Sequence, residues 1–130
     1  MLILIHMLLM ITAAICLMAG ITTAIFLRKK SYWLKTHKNL NSVGFFLLLA
    51  GGIMAFANIL INDGTHFNGL HQLIGLGALI LTFITLLLGF YSFKAINKIA
   101  VRAAHRWLGR VSFLLILTAL ILGLMLAGII

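Results

Sequence analysis

The sequence predicts an all-α membrane protein, a four-helix transmembrane bundle with both termini on the non-cytoplasmic side. Composition is the first reason. Of 130 residues, 64% are hydrophobic and 8% charged, with no proline and a mean hydropathy of +1.24. A water-soluble domain of this size cannot bury so much apolar side chain. The second reason is segmentation: apolar stretches over about 2–27, 40–62, 70–93 and 107–130 each reach the roughly 20 residues a helix needs to cross hydrocarbon. The third is that these stretches do not alternate in polarity as barrel strands would, so their backbone must be satisfied within helices. The helices are expected over about 2–27, 40–62, 70–93 and 104–130, as one domain spanning 1–130.

The first helix ends at the basic run Arg28-Lys29-Lys30. No basic segment precedes it, so it reads as a span and not as a cleaved signal peptide. Its lone cysteine, Cys16, sits mid-helix and has no partner for an internal disulfide. About a dozen residues, Arg28 to Asn39, lead to the second helix, and Asn62-Asp63-Gly64 marks the turn before the third. A second basic cluster separates the third helix from the fourth. Connectors this short leave no room for an extramembrane domain, so any flavin- or nucleotide-binding partner would be another molecule.

The net charge of +9 would suggest nucleic acid in a soluble protein. Its placement excludes that reading. Arg28, Lys29, Lys30, Lys35 and Lys38 precede helix 2, and Lys94, Lys98, Arg102, Arg106 and Arg110 surround the helix 3–4 turn. All ten basic residues thus fall on one side of the membrane, and Asp63 is the one charge on the other. The positive-inside rule puts both basic turns in the cytoplasm. Tyr32, Trp33, Tyr91 and Trp107 accompany them, as interfacial aromatics do. An integral multi-pass protein of a bacterial plasma (inner) membrane is expected.

Each apolar segment carries one histidine near its start: His6, His37, His71 and His105, at intervals of 31, 34 and 34 residues. Successive helices run in opposite directions, so His6 and His71 are expected near one face and His37 and His105 near the other. A lone intramembrane histidine commonly bonds a backbone carbonyl, but four at matching depths suggest more. No intramembrane carboxylate is present to build a proton relay. Two axial imidazoles per face suit two six-coordinate b-type haems, held non-covalently because no C-x-x-C-H occurs. One metal ion cannot take all four, because the two levels should be about 20 Å apart. Two histidines alone are also too few for a closed zinc site.

Glycines follow these histidines at helical spacing. Gly75 and Gly109 lie four residues after His71 and His105, and Gly44 lies seven after His37. They are read as clearance for a flat macrocycle. Gly20 and Gly51 follow by 14 residues, Gly89 and Gly123 by 18, and are read as gaps at the opposite level. Lys38, Arg106 and Arg110, with Lys35, flank the cytoplasmic pair as candidate partners for propionates or for an anionic donor. The outer face offers Asn62, Thr65, Asn68 and Gln72 instead. His66, five residues before His71, is read as a surface residue.

These residues resemble the cytochrome b561 family, over nearly the whole chain. Ala-His-Arg-Trp-Leu-Gly-Arg at 104–110 is similar to its last-ligand motif and is the most specific match. Thr36-His37-Lys38-Asn39-Leu40-Asn41 with Gly44 resembles its second core helix, Leu70-His71-Gln72-Leu73-Ile74-Gly75 its third, and His6-Met7-Leu8-Leu9-Met10 its first. Met7 stands where the family usually has glycine. The resemblance implies that core helices 1 and 3 ligate one haem and helices 2 and 4 the other. It further implies electron transfer across the membrane, commonly from cytoplasmic ascorbate to a ferric chelate or monodehydroascorbate outside. A quinol donor is equally compatible with the residues. The usual member has six helices and this sequence only the core four, which implies a homodimer or a redox partner subunit over the remaining faces. Two functions are therefore expected to compete: a transmembrane oxidoreductase, and a non-catalytic haem-binding electron-conduit subunit of a larger complex.

Overall fold

A computed structural model describes residues 1–62 and 69–130. Among these residues there are four α-helices and no strand: α1 (Leu2–Phe26), α2 (Trp33–Ile61), α3 (Leu70–Tyr91) and α4 (Lys98–Leu126). All four are long and apolar enough to cross a membrane. The chain divides into two compact units, Met1–Gly69 and Leu70–Ile130. Each is a helical hairpin. The start of α1 bonds the second half of α2, and the start of α3 bonds the second half of α4, so both hairpins are antiparallel.

Two helices begin earlier than their apolar stretches. α2 starts at Trp33 and not at Leu40, and α4 at Lys98 and not at 104. Hydropathy falls where Lys35, Lys38, Arg102 and Arg106 enter, but the backbone does not stop there. Long basic side chains carry their charge toward water while their stems stay on the helix. The Asn97 side chain caps α4 by accepting the Ala100 N–H at 3.0 Å. At its other end α4 stops at Leu126, short of 130. Gly128 takes φ +69°, its N–H reaches the Met125 carbonyl, and Ile129 N–H reaches that of Leu124, both at 3.0 Å. That pair of bonds closes a helix end, and only glycine adopts the left-handed turn without strain.

In the first hairpin the contact is made by Ala13, Ala14, Leu17 and Gly20 of α1 against Gly44, Phe45, Leu48 and Gly51 of α2, all buried. Small residues bring the backbones close, which is the main source of helix association in lipid. In the second hairpin Ala78, Thr82 and Thr85 meet Ser112, Ile116 and Ala119. Their hydroxyls donate back one turn within their own helices: Thr82 to Ala78, Thr85 to Leu81 and Ser112 to Leu108, at 2.6–2.7 Å. These three hydroxyl protons are therefore satisfied in hydrocarbon. Large apolar side chains such as Ile15, Phe46, Phe83 and Leu114 are exposed.

Candidate functional site

The four histidines occupy one equivalent position on one repeated stripe. Counting from each histidine, the residues at +4, +7, +11, +14 and +18 share its helix face. On α1 these are Met10, Ala13, Leu17, Gly20 and Ala24; on α2 they are Asn41, Gly44, Leu48, Gly51 and Ala55. On α3 they are Gly75, Ala78, Thr82, Thr85 and Gly89; on α4 they are Gly109, Ser112, Ile116, Ala119 and Gly123. This stripe is the face each helix turns to its hairpin partner.

Every histidine donates to the carbonyl at +14 of the neighbouring helix. His6 Nδ1 lies 2.8 Å from Gly51 O, and His37 Nδ1 lies 2.9 Å from Gly20 O. His71 Nδ1 lies 2.9 Å from Ala119 O, and His105 Nδ1 lies 2.9 Å from Thr85 O. Each hairpin is therefore two-fold symmetric in its hydrogen bonding. A carbonyl oxygen only accepts, so Nδ1 carries a proton in all four rings, which in a neutral imidazole leaves the lone pair on Nε2. This is the tautomer in which an imidazole ligates a metal, with its second nitrogen held by an acceptor. His6 is 8% exposed and the other three are half-buried.

The deeper glycines do not stand beside gaps. A Cβ on Gly89 would lie 3.0 Å from His105 Cε1, and one on Gly123 would lie 2.9 Å from His71 Cε1. On Gly20 it would collide with the Asn41 amide, and on Gly51 it would come within 3.2 Å of Met10 Cε. The space is thus filled by the partner helix of the same hairpin, whose histidine or +4 residue occupies it. Gly44 is likewise taken up by packing, with Leu17 Cγ 2.7 Å from where its Cβ would be. Gly109 would meet Thr85 Cγ2 at an ordinary 3.5 Å, whereas a Cβ on Gly75 would meet no described atom within 4 Å.

Within a hairpin the two histidines are separated by the length of the stripe. Fourteen residues at about 1.5 Å each put them roughly 21 Å apart along the helix pair, so they cannot share one ion. Among the described residues no three His, Cys, Asp or Glu side chains gather as a metal site. Lys38, Arg106 and Arg110 are exposed, and the Arg110 guanidinium lies 5.1 Å over the Trp107 ring. Trp33 tilts toward His37, with ring centroids 6.3 Å apart. Asn41 touches His37 as well, donating to its carbonyl at 2.7 Å with the amide nitrogen 3.1 Å from Nδ1. Asn62 donates to the Asn58 carbonyl at 2.7 Å. Asp63, Thr65, His66 and Asn68 lie outside the described residues.

A family model described as eukaryotic cytochrome b561 matches residues 1–129. The chain belongs to the cytochrome b561 family. No curated protein and no solved structure matches it. Cytochromes b561 are membrane helical bundles that bind haem b and transfer electrons across the membrane. The chemistry of the histidines fits that group: each of the four imidazoles has Nδ1 bound to a backbone carbonyl, which in the neutral ring leaves Nε2 as the nitrogen able to bind iron. In this cytochrome b561 the acceptors are the carbonyls of Gly20, Gly51, Thr85 and Ala119. Sequence reasoning missed them as acceptors, although the +14 spacing of Gly20 and Gly51 was visible.

Proposed function

We propose that this cytochrome b561 conducts electrons across its membrane through two non-covalent b haems, His6 and His71 ligating one and His37 and His105 the other. The observation that carries the reading is the set of four identical Nδ1-to-carbonyl bonds. A histidine kept only for packing has no reason to repeat one tautomer and one register four times. The pairing rests on the alternating direction of the helices and on the family. Histidines about 21 Å apart in one hairpin cannot serve the same iron.

When bound, haem supplies reversible one-electron redox chemistry. The chain does the rest. Its imidazoles bind and orient, and their carbonyl partners make them stronger donors. The apolar stripe between the two histidine levels keeps water, protons and ions out of the path. Lys38, Arg106 and Arg110 would attract an anionic donor such as ascorbate, or neutralise propionates, at the cytoplasmic face. Gly75 leaves room one turn from His71, whereas the place of a side chain at Gly109 is taken up against Thr85. Electrons would pass from the cytoplasmic donor, or from a quinol, to a ferric chelate or a monodehydroascorbate-like acceptor outside. The ten-to-zero split of basic residues supports this orientation in a plasma membrane. The matching family model is eukaryotic, so the bacterial setting expected from charge bias gains nothing from the comparison.

The decisive experiment is a reduced-minus-oxidised spectrum of purified protein with haem quantified per chain. Two low-spin b haems are expected; none, from haem-supplied cells, would overturn the reading. Reduction of ferric chelate by ascorbate with this protein alone would mark an oxidoreductase. Inactivity rescued by a co-purifying partner would mark an electron-conduit subunit instead.

A further inference from the structure

In the second hairpin each imidazole rests on bare backbone. His105 reaches past Gly89 to the Thr85 carbonyl, and His71 reaches past Gly123 to the Ala119 carbonyl. The route is imposed by helix geometry. A carbonyl points toward the residue four positions on, which donates its own N–H there. A side chain from a neighbouring helix must therefore approach over the +18 residue to reach the +14 oxygen.

We infer that Gly89 and Gly123 are positioning residues that set the ring planes of His105 and His71. The inference rests on the proposed role of these histidines as ligands. A methyl group on Gly89 would sit 3.0 Å from His105 Cε1 and 3.2 Å from Nδ1; on Gly123 it would sit 2.9 Å and 3.4 Å from the same atoms of His71. The atoms that must yield belong to the ligand ring itself, not to a helix. The first hairpin sharpens the point. There the +18 residues are Ala24 and Ala55, yet the same bond forms. Glycine is thus no requirement of the hydrogen bond. What it adds is direct seating of the ring on the helix, which fixes rotation about Cβ–Cγ.

The test compares Gly89→Ala and Gly123→Ala with Gly77→Ala, where a Cβ would meet no described atom within 4 Å. Two readouts apply: imidazole 15N shifts in the reduced, diamagnetic protein, and the g values of the oxidised low-spin haems. Gly89→Ala should move the signals of His105 and its haem alone, and Gly123→Ala those of His71 and its haem. Haem retention should weaken by about tenfold, the lower end of what a disturbed outer partner costs. Gly77→Ala should leave all of these unchanged. Wild-type ring shifts and g values in both glycine variants would overturn the inference. So would loss of helix content in them alone, which would make the glycines packing residues. A wild-type protein without haem would sink the proposed function, while the 15N shifts would still judge the glycines.

Discussion

The two hairpins solve one packing problem in opposite ways. Both place a histidine against the +14 carbonyl of the partner helix, at 2.8–2.9 Å. In the first hairpin each +4 residue faces the +14 residue of the partner helix, and in the second Gly109 faces Thr85. In the first hairpin the +4 side chains are large, Met10 and Asn41, and the facing +14 positions are Gly51 and Gly20. In the second the +4 positions are glycine, Gly75 and Gly109, and side chains stand at +14, Ala119 and Thr85. At Gly109 and Thr85 volume has moved across the contact, at Gly75 a Cβ would meet no described atom within 4 Å, and the hydrogen bonds have stayed. The acceptor is a backbone atom, so it survives any side chain that the partner helix can accommodate. Interiors reward filling without fixing which side supplies the atoms.

The largest expected effect tests whether the hairpins share their cofactors. His37→Ala and His105→Ala, in different hairpins, should delete the same haem component, and His6→Ala and His71→Ala the other. Resolved redox titration of each variant checks this; a component lost by two histidines of one hairpin would break the pairing.

Next in size is the exchange of volume itself. Gly20→Ala in the first hairpin drives a methyl into Asn41 and should destabilise by about 1–3 kcal/mol, the usual range for overpacking. Asn41→Ala in the same chain should recover most of that loss in a detergent-unfolding titration. Additive loss would mean the two positions do not face each other.

Gly51→Ala should cost less, below about 1 kcal/mol, because the atoms it meets are the mobile end of Met10 at 3.2–3.3 Å. The same titration would reveal a larger loss.

The smallest effect belongs to the second hairpin. Thr85→Val removes the contact between Thr85 Oγ1 and Ser112 Oγ, 3.3 Å apart, in which each hydroxyl already donates within its own helix. With both protons engaged elsewhere, the loss should fall below the roughly 0.6 kcal/mol that interhelical hydrogen bonds average. The Thr85 carbonyl remains, so the His105 ring 15N shift should not change.

Much of this architecture was legible in the sequence. Hydropathy located four spans, because lipid tolerates few alternatives, and basic clusters marked the turns after α1 and α3. Histidine spacing located the candidate ligands. The helix starts were not legible, since Lys35 and Arg102 end a hydropathic window without ending a helix. The last helix end was marked by Gly128 but hidden by the apolar residues after it. The glycines were recognised by position and misread by partner. Gly89 and Gly123 face histidines of the neighbouring helix, a relation that one helix's periodicity cannot reveal.

All four imidazole bonds close within a hairpin, spanning 17 to 48 residues of chain. This bears on how the protein is made. An imidazole N–H stranded in hydrocarbon costs several kcal/mol, so a nascent span bearing one histidine is poorly suited to lipid until its neighbour follows. Once α2 is synthesised, both histidines of the first pair have their acceptors, and nothing later in the chain is needed to satisfy those protons. Biogenesis can then proceed by whole hairpins, each entering the bilayer with its imidazoles already turned to the right tautomer before any cofactor arrives.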